Sequence, residues 1–431
     1  MVQPSTTNRP DHHANDCGTS FRNPWLSAGK PSWTELLPMR SPLSCYCNDN
    51  LKHDDRAREI KVVTPDWGAL ALKQRMLENE EKKCIVGTWL GHAGVMAEIP
   101  LEGITAGNSM NESLETSSSK SNLWILFDPI FSQRAGPTQY TGPGRIKASP
   151  CQVENLPACD AVAISHNHYD HLDSLSIKAV SSRFPRCKFF VPLGNKSWLL
   201  ATGIPKDLIH ELDWWKSAEF GLGGFHRELD HDTKEETRLR FTCVPAQHNS
   251  GRGTLDQGST LWCGWVVEQH LVRKSQTVGG PDVGKRRKGA IYHAGDTGYR
   301  RIAKSEEVCP VFEEIGTKFG PFDLSFIPIW RGGTLSFISY VGLRLSHNEI
   351  PSALHASPSD AIAIHQAVKS KNTVGVHFGT FIGSENESYE ALIEFDEAGE
   401  AEGISHLDDI SECQHGRAGA LDIGGSIAVG I

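Results

Sequence analysis

Short apolar runs recur along the chain, and most stop at a polar or glycine-containing turn, the pattern of strands buried on both faces. Cys84–Ile99 alternates apolar and small residues on either side of Gly91 and His92, so two strands are expected to meet there at a tight turn. Further strands are expected at Leu123–Phe127, Val162–Ile164, Cys187–Val191, Ile209–Trp215, Leu239–Val244, Trp262–Glu268, the run before Asp296, Phe322–Ile329 and Thr373–Val376. Helical spacing fills the gaps at Ser174–Ser182, Glu306–Phe319 and Pro358–Val368, the last with Ser357 as its cap. Strands alternating with helices predict an α/β fold, which builds its site at the carboxyl ends of strands.

The polar stretches divide the chain. Residues 1–19 lack periodicity and are expected to be a disordered tail. One domain is expected over 20–385, with surface insertions near 101–122 and 271–289, followed by a C-terminal extension over 386–431 that has an acidic helix and no visible chemistry. Phe21–Trp25, Trp33 and Leu36-Leu37 read as an arm anchored on the domain surface.

Charge narrows the partners. Lys and Arg total 43 against 52 Asp and Glu, a formal charge of -9 over 431 residues, so no global basic field points to nucleic acid. A local basic run, Lys285-Arg286-Arg287-Lys288, reads as a solvated loop or, more sharply, as a contact for anionic headgroups. Eleven cysteines, an odd number without a CxxC pair, suggest reduced thiols in an intracellular setting. Met1–Pro24 does not read as a secretory signal, and no apolar run approaches the ~20 residues of a membrane-spanning helix. The expectation is a cytoplasmic protein or one held peripherally on internal membranes.

The chemistry concentrates at Ile164–Asp173, where His166, His168, Asp170 and His171 follow the strand Val162–Ile164. Imidazole nitrogens and carboxylate oxygens are what Zn²⁺ takes, and one strand-to-helix turn can aim alternate side chains at two neighbouring ions. Downstream, His248 and His377 are strand-end imidazoles, and Asp296 lies near glycines that let backbone approach closely, so its carboxylate could bridge two cations. Asp128, at the end of another strand, is either an acceptor for the outer N–H of a ligating imidazole or the cap of a turn. His92 reads better as a core histidine than as a site residue. Trp330–Ile350 is either ordinary core or the wall of an apolar cleft.

The turn His166-Asn167-His168-Tyr169-Asp170-His171, with a later His, a later Asp and a last His, resembles the metallo-β-lactamase superfamily. The blocks Phe21–Trp25 (FRNPW), Thr88–Ile99 (TWLGHAGVMAEI), Phe127–Pro143 (FDPIFSQRAGPTQYTGP), His293–Tyr299 (HAGDTGY) and His377–Phe381 (HFGTF) resemble, more closely, the phospholipases D that hydrolyse N-acylphosphatidylethanolamine. The resemblance implies an αββα sandwich of the metallo-β-lactamase type. It implies two Zn²⁺ per chain: one held by His166, His168 and His248, a second by Asp170, His171 and His377, with Asp296 shared. It further implies His355 as an additional active-site histidine, and Gln139 and Tyr140 near the substrate entrance. The sequence departs from the pattern at Leu354, where a Gln is expected, and at Ser174, where an aromatic is expected.

The activity so implied is a zinc phosphodiesterase of phospholipase D type that releases N-acylethanolamine and phosphatidic acid, with Asp170, Asp296 and His355 carrying catalysis and His355 acting as an acid or as a hydrogen-bond donor to the phosphate. Its partners are then a phospholipid substrate and a membrane surface, with a homodimer left open. The rivals are a hydrolase of another phosphodiester or (thio)ester on the same fold, a redox enzyme with iron, and a non-catalytic membrane-binding module that keeps a metal.

Overall fold

The computed structural model describes residues 9–29, 43–45, 51, 54–77, 83–101, 121–226, 235–273, 285–332, 339, 342–345, 352–409 and 414–431. The strands used below are β1 (Cys84–Gly91), β2 (Gly94–Pro100), β3 (Asn122–Phe127), β4 (Ala161–Ala163), β5 (Lys188–Pro192), β6 (Ile209–Leu212), β7 (Ser217–Gly221) and β8 (Glu235–Val244). After these come β9 (Gly264–Arg273), β10 (Arg286–His293), β11 (Leu324–Pro328), β12 (Asn372–Val376), β13 (Ser405–His406), β14 (Arg417–Gly419) and β15 (Ser426–Gly430). The helices used below are α1 (Ser174–Arg183), α2 (Val311–Phe319), α3 (Pro358–Ala367) and α4 (Glu385–Ala401). A seven-stranded sheet runs β15-β1-β2-β3-β4-β5-β6 and an eight-stranded sheet runs β13-β14-β12-β11-β10-β9-β8-β7.

Alternation within each strand decides which layer a side chain joins. Along β3, Ile125 and Phe127 enter the core between the sheets, whereas Leu126 faces outward into a second cluster with Val162, Ile177 and Val180 under α1. Phe190 of β5 meets Phe241 of β8 face to face, with ring centroids 3.9 Å apart and an interplanar angle of 7°, so one aromatic pair spans the two sheets. On the far side α3 packs on β11 and against α2 and α4. The layering is therefore helix, sheet, sheet, helix, the αββα sandwich expected.

Several expectations on boundaries change. The stretch after 385 is no appendage. β15 pairs antiparallel with β1, with Ile427 opposite Gly87, and β14 pairs parallel with β12, so the chain's end completes both sheets. The expected tail through Thr19 is cut short from the other side: Phe21 N donates to Gly258 O at 2.8 Å, and His12 is buried against Asp213. The basic run Lys285–Lys288 is not a free loop. It leads into β10, where Lys285 pairs with Glu219 at 2.8 Å, Arg286 with Glu235 at 2.7 Å, and Arg287 caps the Pro321 carbonyl at 2.6 Å. Likewise the expected insertion over 271–289 is trimmed, because β9 continues to Arg273 and β10 begins at Arg286. The helix expected from Glu306 starts only at Val311, after Pro310. Most of the expected insertion at 101–122 and most of Trp330–Ile350 lie outside the described residues, although β3 already begins at Asn122.

Candidate metal centre

One edge of the sandwich collects the loops that leave β3, β4, β8, β10, β11 and β12. The β4–β5, β3–β4, β10–β11 and β11–β12 pairs are parallel, so their carboxyl ends share that edge. Backbone strain gathers there: His92, Asp128 and His377 have positive φ of 54°, 40° and 63°, which non-glycine residues adopt only where the surroundings impose it. Gly295 has a φ of +61°, and a Cβ on it would stand 2.6 Å from the Ser165 Cβ, so the Asp296 loop can press against the histidine turn only with glycine there.

Two groups of side chains meet at this edge. His166, His168 and His248 form the first, with His166 Nε2 2.8 Å and His248 Nε2 3.3 Å from His168 Nδ1. Asp170, His171, His377 and His92 form the second. Asp296 faces both: Oδ1 lies 3.0 Å from His377 Nε2, and Oδ2 lies 3.2 Å from His171 Nε2, 3.6 Å from His248 Nε2 and 4.0 Å from His166 Nε2. His355 comes within 3.2 Å of the same Oδ2.

The outer nitrogens of His166, His171 and His248 are occupied. His248 Nδ1–H donates to Leu354 O at 2.8 Å. Ser165 Oγ donates its one proton to Asp128 Oδ2 at 2.6 Å and so accepts from His166 Nδ1 at 2.9 Å. Asp128 Oδ2 also takes His171 Nδ1–H at 2.8 Å, while Oδ1 takes Ser165 N–H at 2.7 Å. His166, His171 and His248 are thereby turned so that Nε2 points at the common centre, which His168 meets with Nδ1. There, His171 Nε2, His377 Nε2 and Asp296 Oδ1 are buried without a hydrogen-bond partner, although the latter two are 3.0 Å apart. Buried polar atoms converging without partners are what a missing cation would satisfy.

The electrostatics agree. Burial lowers His166, His168 and His248, keeping these imidazoles neutral and able to ligate. For Asp296, burial alone would raise the carboxyl, but His171 and His377 outweigh it and hold it well below its ordinary range. Asp170 behaves the same way, with His171 and His92 outweighing burial. Burial would lower His171, yet Asp296, Asp170 and Asp128 together hold it well above its ordinary value. The surplus negative charge of the carboxylates that raises His171 is charge a metal ion would neutralise. The donor set of imidazoles and carboxylates is one that can bind metal.

His92, which reads from sequence as a core histidine, belongs to the site. Its Nε2–H donates to Asp170 Oδ2 at 2.9 Å, and burial, with help from the charge of His377, lowers its pKa to about 4. Gly91-His92 at a hairpin turn was the available signal, but nothing in the sequence says which edge that turn faces. Gln139 and Tyr140 are not brought in. Gln139 Oε1 accepts from Gln133 N and Arg134 N of its own loop, and Tyr140 is 92 % exposed. The same loop reaches the site through Ala135 and Pro143 instead.

A cavity of about 600 Å³ opens over the centre. Its polar end holds His168, Asp170, Asp296 and His355, and Ile146, Phe378, Phe381 and Ile382 contribute an apolar wall. Trp330 also lines it, in keeping with the cleft-wall reading for that one residue. The His355 carbonyl accepts from Arg331 Nε at 3.3 Å, and buried Arg331 is ion-paired to Asp360, which also closes the capping box of α3 with Ser357.

Residues 123–378, more than half of the chain, match the family described as the Beta-lactamase superfamily domain, so the chain belongs to that superfamily. Among curated proteins it is 32 % identical over 385 residues to N-acyl-phosphatidylethanolamine-hydrolyzing phospholipase D 1 of Caenorhabditis elegans, covering 86 % of this chain and 84 % of that protein. Within the superfamily the chain is thus a member of the N-acylphosphatidylethanolamine-hydrolysing phospholipase D family. The mitochondrial phospholipase D of that name from Saccharomyces cerevisiae is 28 % identical over 81 % of this chain, which spans 59 % of the yeast protein's length. An uncharacterized protein of Mycobacterium tuberculosis is 34 % identical over 60 % of this chain, which spans 54 % of that protein. Among solved structures, the isothiocyanate hydrolase from Delia radicum gut bacteria aligns with a TM-score of 0.45 at 14 % identity, covering 80 % of this chain and all 100 % of that one. No helix among the described residues is long and apolar enough to cross a membrane.

Proposed function

We propose that this chain is a binuclear zinc phosphodiesterase of phospholipase D type, which hydrolyses N-acylphosphatidylethanolamine to N-acylethanolamine and phosphatidic acid. The observation that carries the reading is Asp296, a buried carboxylate facing both histidine groups at the polar end of a cavity with an apolar wall. One ion would be held by His166, His168 and His248, the other by Asp170, His171 and His377, with Asp296 shared between them. Two zinc ions so held would supply Lewis-acid neutralisation of a phosphodiester and acidify a water near neutral pH.

The chain's own residues do the rest. His92 holds Asp170, Asp128 holds His171, and the Leu354 carbonyl holds His248, so the donors need little reorganisation when the substrate arrives. His355 is part-exposed to the cavity and carried on a backbone pinned by Arg331. In this reading it protonates the departing alkoxide or donates to a phosphate oxygen. Ile146, Phe378 and Phe381 offer an apolar surface for an acyl chain, and the same surface suits a protein that works against a bilayer.

The test is turnover of N-acylphosphatidylethanolamine vesicles in ¹⁸O-water, run beside a water-soluble phosphodiester and a thioester. Water adds its oxygen to phosphorus as the bond from phosphorus to the ethanolamine oxygen breaks, so the label is expected in phosphatidic acid and not in the N-acylethanolamine hydroxyl. Label in a released fatty acid, or turnover confined to the soluble substrates, would replace this reading with another hydrolase of the fold. No turnover by zinc-loaded protein on any of them would leave a metal-containing binding module.

A further inference from the structure

Outside the centre, the described residues contain one other place where imidazoles and a carboxylate converge. His12 Nε2 lies 2.7 Å from Asp213 Oδ1, and His13 Nε2 lies 3.0 Å from Asp213 Oδ2. All three ligand atoms lie within 4.8 Å of one another. The two histidines lie at the turn Pro10–His13, which His13 N closes by donating to Pro10 O at 3.0 Å. Here their rings stand edge to face at 87°, centroids 4.6 Å apart, and both turn Nε2 onto the same carboxylate. His12 is clamped further by stacking on Trp214 at 4.3 Å, and the three side chains are only 9 %, 13 % and 19 % exposed.

We propose that His12, His13 and Asp213 form a third metal site, separate from the catalytic centre, that takes a borderline transition dication of the zinc class. The donor set is the two-histidine, one-carboxylate set that such ions accept, with a fourth position left to water. A tetrahedral ion with ligands at about 2.0–2.1 Å needs its donors roughly 3.3 Å apart. The present N–O separations of 2.7 and 3.0 Å need only a few tenths of an ångström of opening, and the imidazole pairs of the catalytic cluster have the same range, 2.8 and 3.3 Å.

The consequence of the site lies along the arm. Beyond the clasp, Asn23 Nδ2 donates to the His248 carbonyl at 2.7 Å, and Ser27 Oγ donates to Gln247 Oε1 at 2.5 Å. Trp25 stacks on Trp214 at 5.5 Å. An ion fastening His12 and His13 to Asp213 therefore fastens the segment that supports His248. It is a structural tether, not a participant in the chemistry.

The test counts zinc per chain in full-length protein, loaded with Zn²⁺ and desalted, by plasma mass spectrometry. His13→Gln keeps an N–H that can donate to Asp213 but removes the ligand, so it should lose about one equivalent relative to the unmodified protein. The comparison is repeated in an Asp296→Asn background, so that a change at the catalytic centre cannot imitate the loss and the outcome does not rest on the proposed function. Asp213→Asn, which keeps an acceptor for the Trp214 N–H, makes the same test from the other side should His13→Gln fold poorly. Trypsin cleavage after the exposed Arg22 gives the second readout: zinc should slow it in the unmodified protein and not in His13→Gln. Equal zinc content in all these proteins in both backgrounds, with cleavage at Arg22 indifferent to zinc, would overturn the site and leave a plain hydrogen-bonded clasp.

Discussion

Asp128→Asn decides between the two roles open to this carboxylate, and its cost can be worked from the structure. Asp128 is fully buried and accepts three hydrogen bonds, from Ser165 N, Ser165 Oγ and His171 Nδ1. Asparagine keeps an oxygen for Ser165 N but turns an NH₂ toward the other two donors, so two bonds to a charged acceptor are lost. At roughly 1.5–3 kcal/mol each, the fold should lose about 3–6 kcal/mol, which overlaps the ~3–5 kcal/mol of breaking a buried charged pair from one side. The metal should feel a separate effect. His171 loses the acceptor that fixes its tautomer and aims its Nε2, and removing such an outer partner weakens metal binding about 10- to 100-fold, or ~1.4–2.8 kcal/mol. Zinc competition against a chromophoric chelator measures the second quantity, and thermal unfolding the first. If stability falls while zinc affinity stays within about twofold, Asp128 only caps the turn at Ser165, and the reasoning that it orients His171 is refuted.

Two further predictions follow from single carboxylates. Asp296→Asn should lower both zinc content and turnover, because its two oxygens face both histidine groups; a fully loaded and active variant would remove the shared-ligand assignment. Glu98 is buried on β2 beside Asn122, and burial pushes its carboxyl up from 4.5 to about 7, so the fold favours the protonated form. The penalty is absent below pH 4.5, grows as pH rises to 7 and is complete above it; Glu98→Gln should therefore stabilise the protein by up to about 3 kcal/mol at pH 8 and by almost nothing at pH 4.5, and an equal shift in unfolding temperature at both would refute it.

The architecture was legible because burial imposes it. A strand such as Leu123–Phe127 is apolar on both faces, and only a sheet covered on both sides stores such runs. The metal-ligand candidates were legible for a related reason. Each stands just beyond one of these runs, and in an open α/β sheet the carboxyl ends of strands share an edge. The ends of the chain were less legible. β14 and β15 are short and glycine-rich, and their strand character comes from pairing with β12 and β1, partners that no local pattern names.

His92 and Gln139 mark the same boundary from opposite sides. His92 has no repeated spacing to advertise it, and its place beside Asp170 exists only because the β1–β2 turn closes over the edge where β12 ends, with His377 N donating to His92 O at 2.9 Å. Gln139 and Tyr140 lie in a block of sequence that does reach the cavity, but a loop presents a few residues inward and turns the rest to solvent. Here Arg145 decides which: its Nε donates to the Ser132 carbonyl at 2.9 Å and its guanidinium sits 4.7 Å over the Phe381 ring, drawing the base of the loop inward. Arg134 Nη1 closes the loop on the Gly142 carbonyl at 2.9 Å, and the Gln139 amide is spent on its own loop's backbone. Spacing along a strand carries a side chain's direction because the pleat has a fixed period, whereas the direction of a loop residue is set by the hydrogen bonds that close the loop.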